Sequence, residues 1–137
     1  MSEAENLKAR GPDGVIVNLR IEVSEHEPWR LSLTSPDGAI RQYQCSDLFE
    51  SLLAMRRDLE RAGFQLLCAG ARPDVTTSGM SRSMGGGRKA YVVHMGSPAS
   101  RSEMVDIFDY AEPELVGTVQ QQQEYLDQWI NSLRRRQ

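Results

Sequence analysis

Residues 15–44 read VIVNLRIEVSEHEPWRLSLTSPDGAIRQYQ, and the rhythm of this stretch decides the fold class. Val15, Val17, Leu19, Ile21 and Val23 alternate with Ile16, Asn18, Arg20 and Glu22. A period of two predicts a half-buried strand. Trp29, Leu31 and Leu33 alternate with Arg30, Ser32 and Thr34 and predict a second. Ser35-Pro36-Asp37-Gly38 between them and Ala39–Gln44 is a turn, because proline presets one backbone angle and glycine tolerates a positive φ. Residues 15–44 are thus expected to form a three-stranded antiparallel meander.

Upstream, residues 1–13 are polar and charged and are expected to be a flexible lead-in to one α+β domain over 14–137. Downstream, Ser46 can cap a helix that Gly63 stops, giving a helix over about 46–62. Leu48, Leu52, Met55 and Leu59, with Phe49 and Leu53, form its apolar face, and Asp47, Glu50, Arg57 and Arg61 its polar one. Phe64–Cys68 is a short continuous apolar run that suits a central strand buried on both faces. Tyr91–Met95 and Val105–Phe108 read as further strands. Thr118 and Gln121 make a capping box for a last helix over about 118–134, whose apolar stripe is interrupted by Gln122. The expectation is an α+β fold: a mostly antiparallel sheet of five or six strands with two helices.

The chain has 137 residues and a net charge of −3, so it carries no global basic field for nucleic acid. No apolar run approaches the ~20 residues of a membrane span, and no signal-like segment opens the chain. The cytoplasm is the expected compartment, with Cys45 and Cys68 reduced. With only His26 and His94 and no CxxC, neither a metal site nor a cofactor is expected.

Two stretches carry unusual charge. Residues 70–91, GARPDVTTSGMSRSMGGGRKAY, form a long connection without predicted structure, and such connections are usually functional or disordered. They set Arg72, Arg82, Arg88 and Lys89 against Asp74 alone. Gly85, Gly86 and Gly87 could turn successive N–H groups inward as an anion-binding nest. The spacing is not that of a P-loop, and a strand follows where a helix would be needed. A flexible loop with solvated cations fits the same residues. The second stretch holds Glu103, Asp106, Asp109, Glu112 and Glu114 with no base among them. Asp106 and Asp109, three apart in a strand-like segment, would face opposite sides rather than form an acid–base pair. The stretch reads as a solvated acidic edge, or as an imitation of nucleic-acid phosphates that blocks a basic site. No serine stands in a G-x-S-x-G elbow.

Leu66-Leu67-Cys68, Gly70-Ala71-Arg72, Asp74-Val75, Ser78-Gly79-Met80, Met84 to Gly87 and Ala90-Tyr91, followed by Val105 to Phe108 and Thr118-Val119, resemble a family of small uncharacterised bacterial proteins. Its pattern is R-x-D-x-x-x-S-G-M-x-R-x-M-G-G-G-x-K-x-Y, and the resemblance spans about residues 45–130. It brings no defined activity and no catalytic residue. Some members are similar to immunity partners of secreted toxins. With no recognisable catalytic constellation and two patches of opposite charge on an α+β scaffold, the chain is expected to be an interaction module of the immunity type that binds and blocks a toxin domain. Its contact would be Arg72, Arg82, Arg88 and Lys89, or else the acidic stretch 103–114. The alternative is an enzyme or ligand-binding protein whose loop 70–91 closes over an anionic small molecule or nucleotide, with Asp74 orienting a base or hydroxyl and the glycines as hinges.

Overall fold

A computed structural model describes residues 2–35, 37–78 and 85–134. The elements run β1 (Ser2–Arg10), β2 (Ile16–Ser24), β3 (Arg30–Thr34), β4 (Ile40–Gln44), α1 (Leu48–Arg61), β5 (Gln65–Leu66), β6 (Val75–Thr76), β7 (Lys89–Val92), β8 (Met104–Asp106) and α2 (Val119–Arg134). The fold class is α+β. The meander forms as its alternation requires: β2, β3 and β4 pair antiparallel, with Leu19, Ile21, Val23, Leu31 and Leu33 buried. Gly38 takes a φ of 86°, and its N–H donates to Ser35 O to close the turn.

Three differences from the sequence reading have physical causes. The expected lead-in is a strand: β1 pairs with β2 over nine residues and lies inside the sheet order β4-β3-β2-β1-β5. Only Leu7 and Ala9 bring apolar surface to the core from β1. Glu3 and Glu5 share their parity but reach Arg88 instead, so the apolar rhythm is missing from the sequence. The run Phe64–Cys68 is not a central strand. Gln65 and Leu66 pair as a two-residue strand against β1 at one end of the sheet order, while buried Leu67 donates its N–H to Lys8 O and buried Cys68 makes an isolated bridge to Tyr110. The remaining strands form a separate sheet of order β6-β7-β8, so among the described residues eight strands divide between two sheets.

The inner face of the large sheet is covered by α1, through Leu48, Phe49, Leu52 and Met55. Asp47, not Ser46, caps this helix: its side chain accepts from Glu50 N–H at 2.8 Å, and it is buried rather than on the polar face. Val75 and Ala90 from the second sheet, with Ile107 and Phe108 just beyond β8, close the same core. The capping box of α2 forms in both directions, Gln121 N–H to Thr118 Oγ1 at 3.0 Å and Thr118 N–H to Gln121 Oε1 at 2.8 Å. The outer face of the large sheet carries Asn6, Lys8, Asn18, Arg20, Glu22, Gln42 and Gln44, all exposed. Among the described residues, no helix is long and apolar enough to cross a membrane.

Candidate functional site

The basic segment is partly built into the fold. Arg72 follows a 3-10 turn at Ala69–Ala71 and grips Asp74 with two parallel bonds, Nε to Oδ1 at 2.9 Å and Nη2 to Oδ2 at 2.8 Å. A fork-to-carboxylate pair of this kind is strong and directional, and the bond to Asp74 raises the Arg72 guanidinium further above its ordinary range. Asp74 is thereby occupied, with its backbone oxygen taking Val93 N–H.

The glycine run does close packing. Gly86 and Gly87 both have positive φ. A Cβ on Gly86 would stand 2.6 Å from the Trp29 ring, and one on Gly87 would stand 3.2 Å from the Asp47 carboxylate. The Gly86 carbonyl accepts from Leu48 N–H, at the first turn of α1. Gly85 is exposed, with open space where a side chain would sit.

Arg88 then turns away from solvent into a seam between β1 and β8. Its Nε donates to Asp106 at 2.9 Å, its Nη2 to Glu5 at 2.7 Å and Glu3 at 3.3 Å, and its guanidinium lies 5.2 Å from the centre of the Phe108 ring. Lys89 is exposed, with Nζ 3.6 Å from Asp106. Burial lifts the Glu5 carboxyl above its ordinary range, and the neighbouring Glu3 adds to this, so the two outweigh the attraction of an Arg88 shared with Asp106.

The predicted basic residues do not converge on one point. Asp74 sits beside Val93 and the Lys89 end of β7 is four residues away, a separation of about 13 Å at strand rise. Arg82 lies outside the described residues, as do Met80, Ser81, Ser83 and Met84.

The acidic stretch also divides. Asp106 belongs to the Arg88 seam, and Glu103 holds His94 Nε2 at 2.8 Å. His94 lies just past β7, where it bridges to Ser97. β8 ends at Asp106, so strand parity does not separate Asp106 from Asp109: a tight turn lets Asp109 Oδ2 accept Asp106 N–H at 3.2 Å. The remaining carboxylates, Asp109, Glu112 and Glu114, are exposed, and among the described residues no basic side chain pairs with them. They surround Tyr110 and Leu115, which are 51% and 44% exposed. The ledge 109–115 is fixed from beneath. Ala69 N–H donates to Asp109 O at 2.7 Å, Ala111 N–H to Leu67 O at 3.2 Å, and Ala111 itself is buried. Slight desolvation and then the charges of Glu112 and Glu114 raise the Tyr110 hydroxyl above its ordinary range.

A polar hub escaped the sequence reading. Arg56, 2% exposed, donates to Gly70 O at 3.2 Å, Gly117 O at 3.0 Å and Gln122 Oε1. Gln122 Nε2 in turn reaches the carbonyls of Gly70, Arg72 and Val75 at 2.9–3.0 Å. Burial pulls the Arg56 guanidinium below its ordinary range and pushes the adjacent, fully buried Cys68 thiol up to about 11. Glu60, beside Arg56, accepts Val119 N–H at 2.9 Å and so caps α2 from α1. The available signal was helical spacing: Arg56 falls four residues after Leu52, on the buried stripe.

A cleft of about 450 Å³ lies between α1 and α2, floored by Phe49, Leu53, Val75, Val119 and Leu126 and rimmed by Glu50, Arg57 and Gln123. Among the described residues, no group of three or more His, Cys, Asp or Glu side chains is placed to hold a metal ion. No protein-family model matches the chain, and no curated protein matches it.

Proposed function

We propose that the chain is an interaction module of the immunity type, which presents the ledge 109–115 to a basic site on a toxin domain in the cytoplasm. The observation that supports this reading is the ledge itself: Asp109, Glu112 and Glu114, with no basic partner among the described residues, around an exposed Tyr110 and Leu115 on a braced backbone. Aromatic anchors ringed by polar groups are the usual centres of binding energy, and opposed potentials steer association and set specificity. A braced ledge has little ordering entropy to lose on binding. Unpaired Cys45 and Cys68 agree with a reducing compartment. The alternative, an anion held by loop 70–91, has less support, because Arg72 and Arg88 already carry carboxylates.

The test is capture of a stoichiometric partner from host extract by the tagged chain, run beside two variants. Tyr110→Ala with Glu112→Gln and Glu114→Gln should weaken capture at least about tenfold, in the range of hot-spot losses, whereas Lys89→Ala should not. Capture unaffected by the ledge variant would overturn the reading. A thermal shift of the free protein with phosphates or nucleotides, about 2.7 kcal/mol at a hundredfold excess over Kd, would favour the alternative.

A further inference from the structure

The large sheet ends in an open edge. Among the described residues β4 has one strand neighbour, β3, and nothing pairs with its other side. The direction of its backbone groups follows from the hairpin. Ser35 N–H donates to Ala39 O at 2.8 Å, so 35 and 39 are a hydrogen-bonded pair. By the alternation of antiparallel ladders, Leu33–Arg41 and Leu31–Tyr43 are the next such pairs. Ile40, Gln42 and Gln44 therefore aim their N–H and C=O groups away from β3. Arg30 N–H, of the same parity as Gln44 across the ladder, is taken by Ser24 Oγ on the β2 side, which confirms the phase.

Protein edges are usually guarded by proline, charged side chains or a bulge. β4, reading IRQYQ, has no proline and no bulge, and Arg41 is its single guarding charge. Ile40 is 66% exposed, the most open large apolar residue among those described. Beside the edge a groove of about 400 Å³ runs between the sheet and α1, with Val17, Leu33, Tyr43, Leu59 and Phe64 on its apolar wall.

We propose that this edge is a homodimer interface, in which β4 pairs antiparallel with β4 of a second copy to join two five-stranded sheets. The sequence of the edge selects this occupant. A two-fold axis at Gln42 sets Gln42 opposite Gln42 and Ile40 opposite Gln44, and all three residues are those with outward backbone groups. The close, non-hydrogen-bonded positions then hold Arg41 opposite Tyr43 of the second copy, a guanidinium against an aromatic ring. No like charges face each other, although every residue meets its own symmetry mate's strand. The same register brings the Arg41 and Tyr43 side chains of the second copy over the mouth of the groove. Five residues per copy fall below a standard interface of about 800 Å² per partner, so the dimer is a weak one, with a Kd on the order of 10–100 μM.

Sedimentation equilibrium of the full chain at low salt tests this. The wild-type chain should pass from monomer to dimer across that concentration range. Gln42→Lys and Gln42→Glu, which place like charges across the axis, should each raise Kd about fivefold or more. An equal mixture of the two variants should recover dimers, which also shows that both have folded. A wild-type chain that stays monomeric at about ten times the upper Kd, dimers indifferent to both charges, or a mixture that fails to recover would each overturn the proposal.

Discussion

Two arginines organise this molecule in opposite ways. Arg56 sits in the hub where α1, the 69–75 segment and α2 meet, and its partners are carbonyls and a glutamine amide. Arg88 sits in the seam where β1, β7 and β8 meet, partly buried, and its partners are three carboxylates. The hub holds its charge chiefly with neutral dipoles, with the Glu60 carboxylate 4.0 Å away at its margin, so it depends less on carboxylate titration than the seam does. The seam holds charge with charge, so it responds to the protonation of its acids and to salt. One region fixes the architecture of the chain and the other responds to its surroundings.

The sharpest way to break that contrast is at the hub. Arg56→Ala should cost about 3–5 kcal/mol in urea denaturation, since removing one partner of a buried polar cluster strands the rest. Lysine should not rescue it, because one ammonium cannot reach three acceptors in different directions. A loss below about 1 kcal/mol would show that water can replace the guanidinium. Next in size is Gly86→Ala, which combines a φ of 66° with a 2.6 Å approach to Trp29. A loss of about 1–3 kcal/mol is expected, read as a shift in the denaturation midpoint. A neutral result would mean that the glycine run is not pressed on Trp29.

The legibility of these regions in the sequence differs for a physical reason. The meander and the Thr118–Gln121 box depend on neighbours a few residues apart, so local pattern predicted them, and Gly63 ends α1 with the φ of 86° that its position required. β1 was illegible because its core-parity residues Glu3 and Glu5 are satisfied by Arg88, over eighty positions away. Arg56 and Gln122 were illegible in role for the same reason: their partners lie on segments that only the fold brings together. Charge followed a related rule. The sequence shows how many basic groups lie in 72–89, but which of them face solvent depends on carboxylates elsewhere, and Arg88 consequently belongs among the residues that hold the fold.

The seam offers the two smaller tests. Arg88→Met leaves Glu3, Glu5 and Asp106 to repel one another, and a loss of about 1–2 kcal/mol is expected at pH 7, discounted for partial exposure. That loss should shrink as pH falls and the acids are neutralised. A pH-independent loss would mean that the packing of the arginine stem over Phe108, and not its charge, is what matters.

Glu5 gives the subtlest prediction because its sign is unusual for a paired carboxylate. Its folded-state pKa is raised, chiefly by burial, above an ordinary value of 4.5. As pH falls, the folded chain takes up this proton before the unfolded chain does. The resulting stabilisation is complete below about pH 4.5 and is lost as pH rises through the raised folded value. Glu5→Gln removes the titration and keeps a hydrogen-bond acceptor for Arg88. Its stability relative to the wild type should therefore improve from pH 4 to pH 7, by a small amount resolvable in paired denaturation curves. If the variant instead loses ground as pH rises, the Arg88 pair outweighs burial at Glu5, and the seam is held together by Glu5 as firmly as by Asp106.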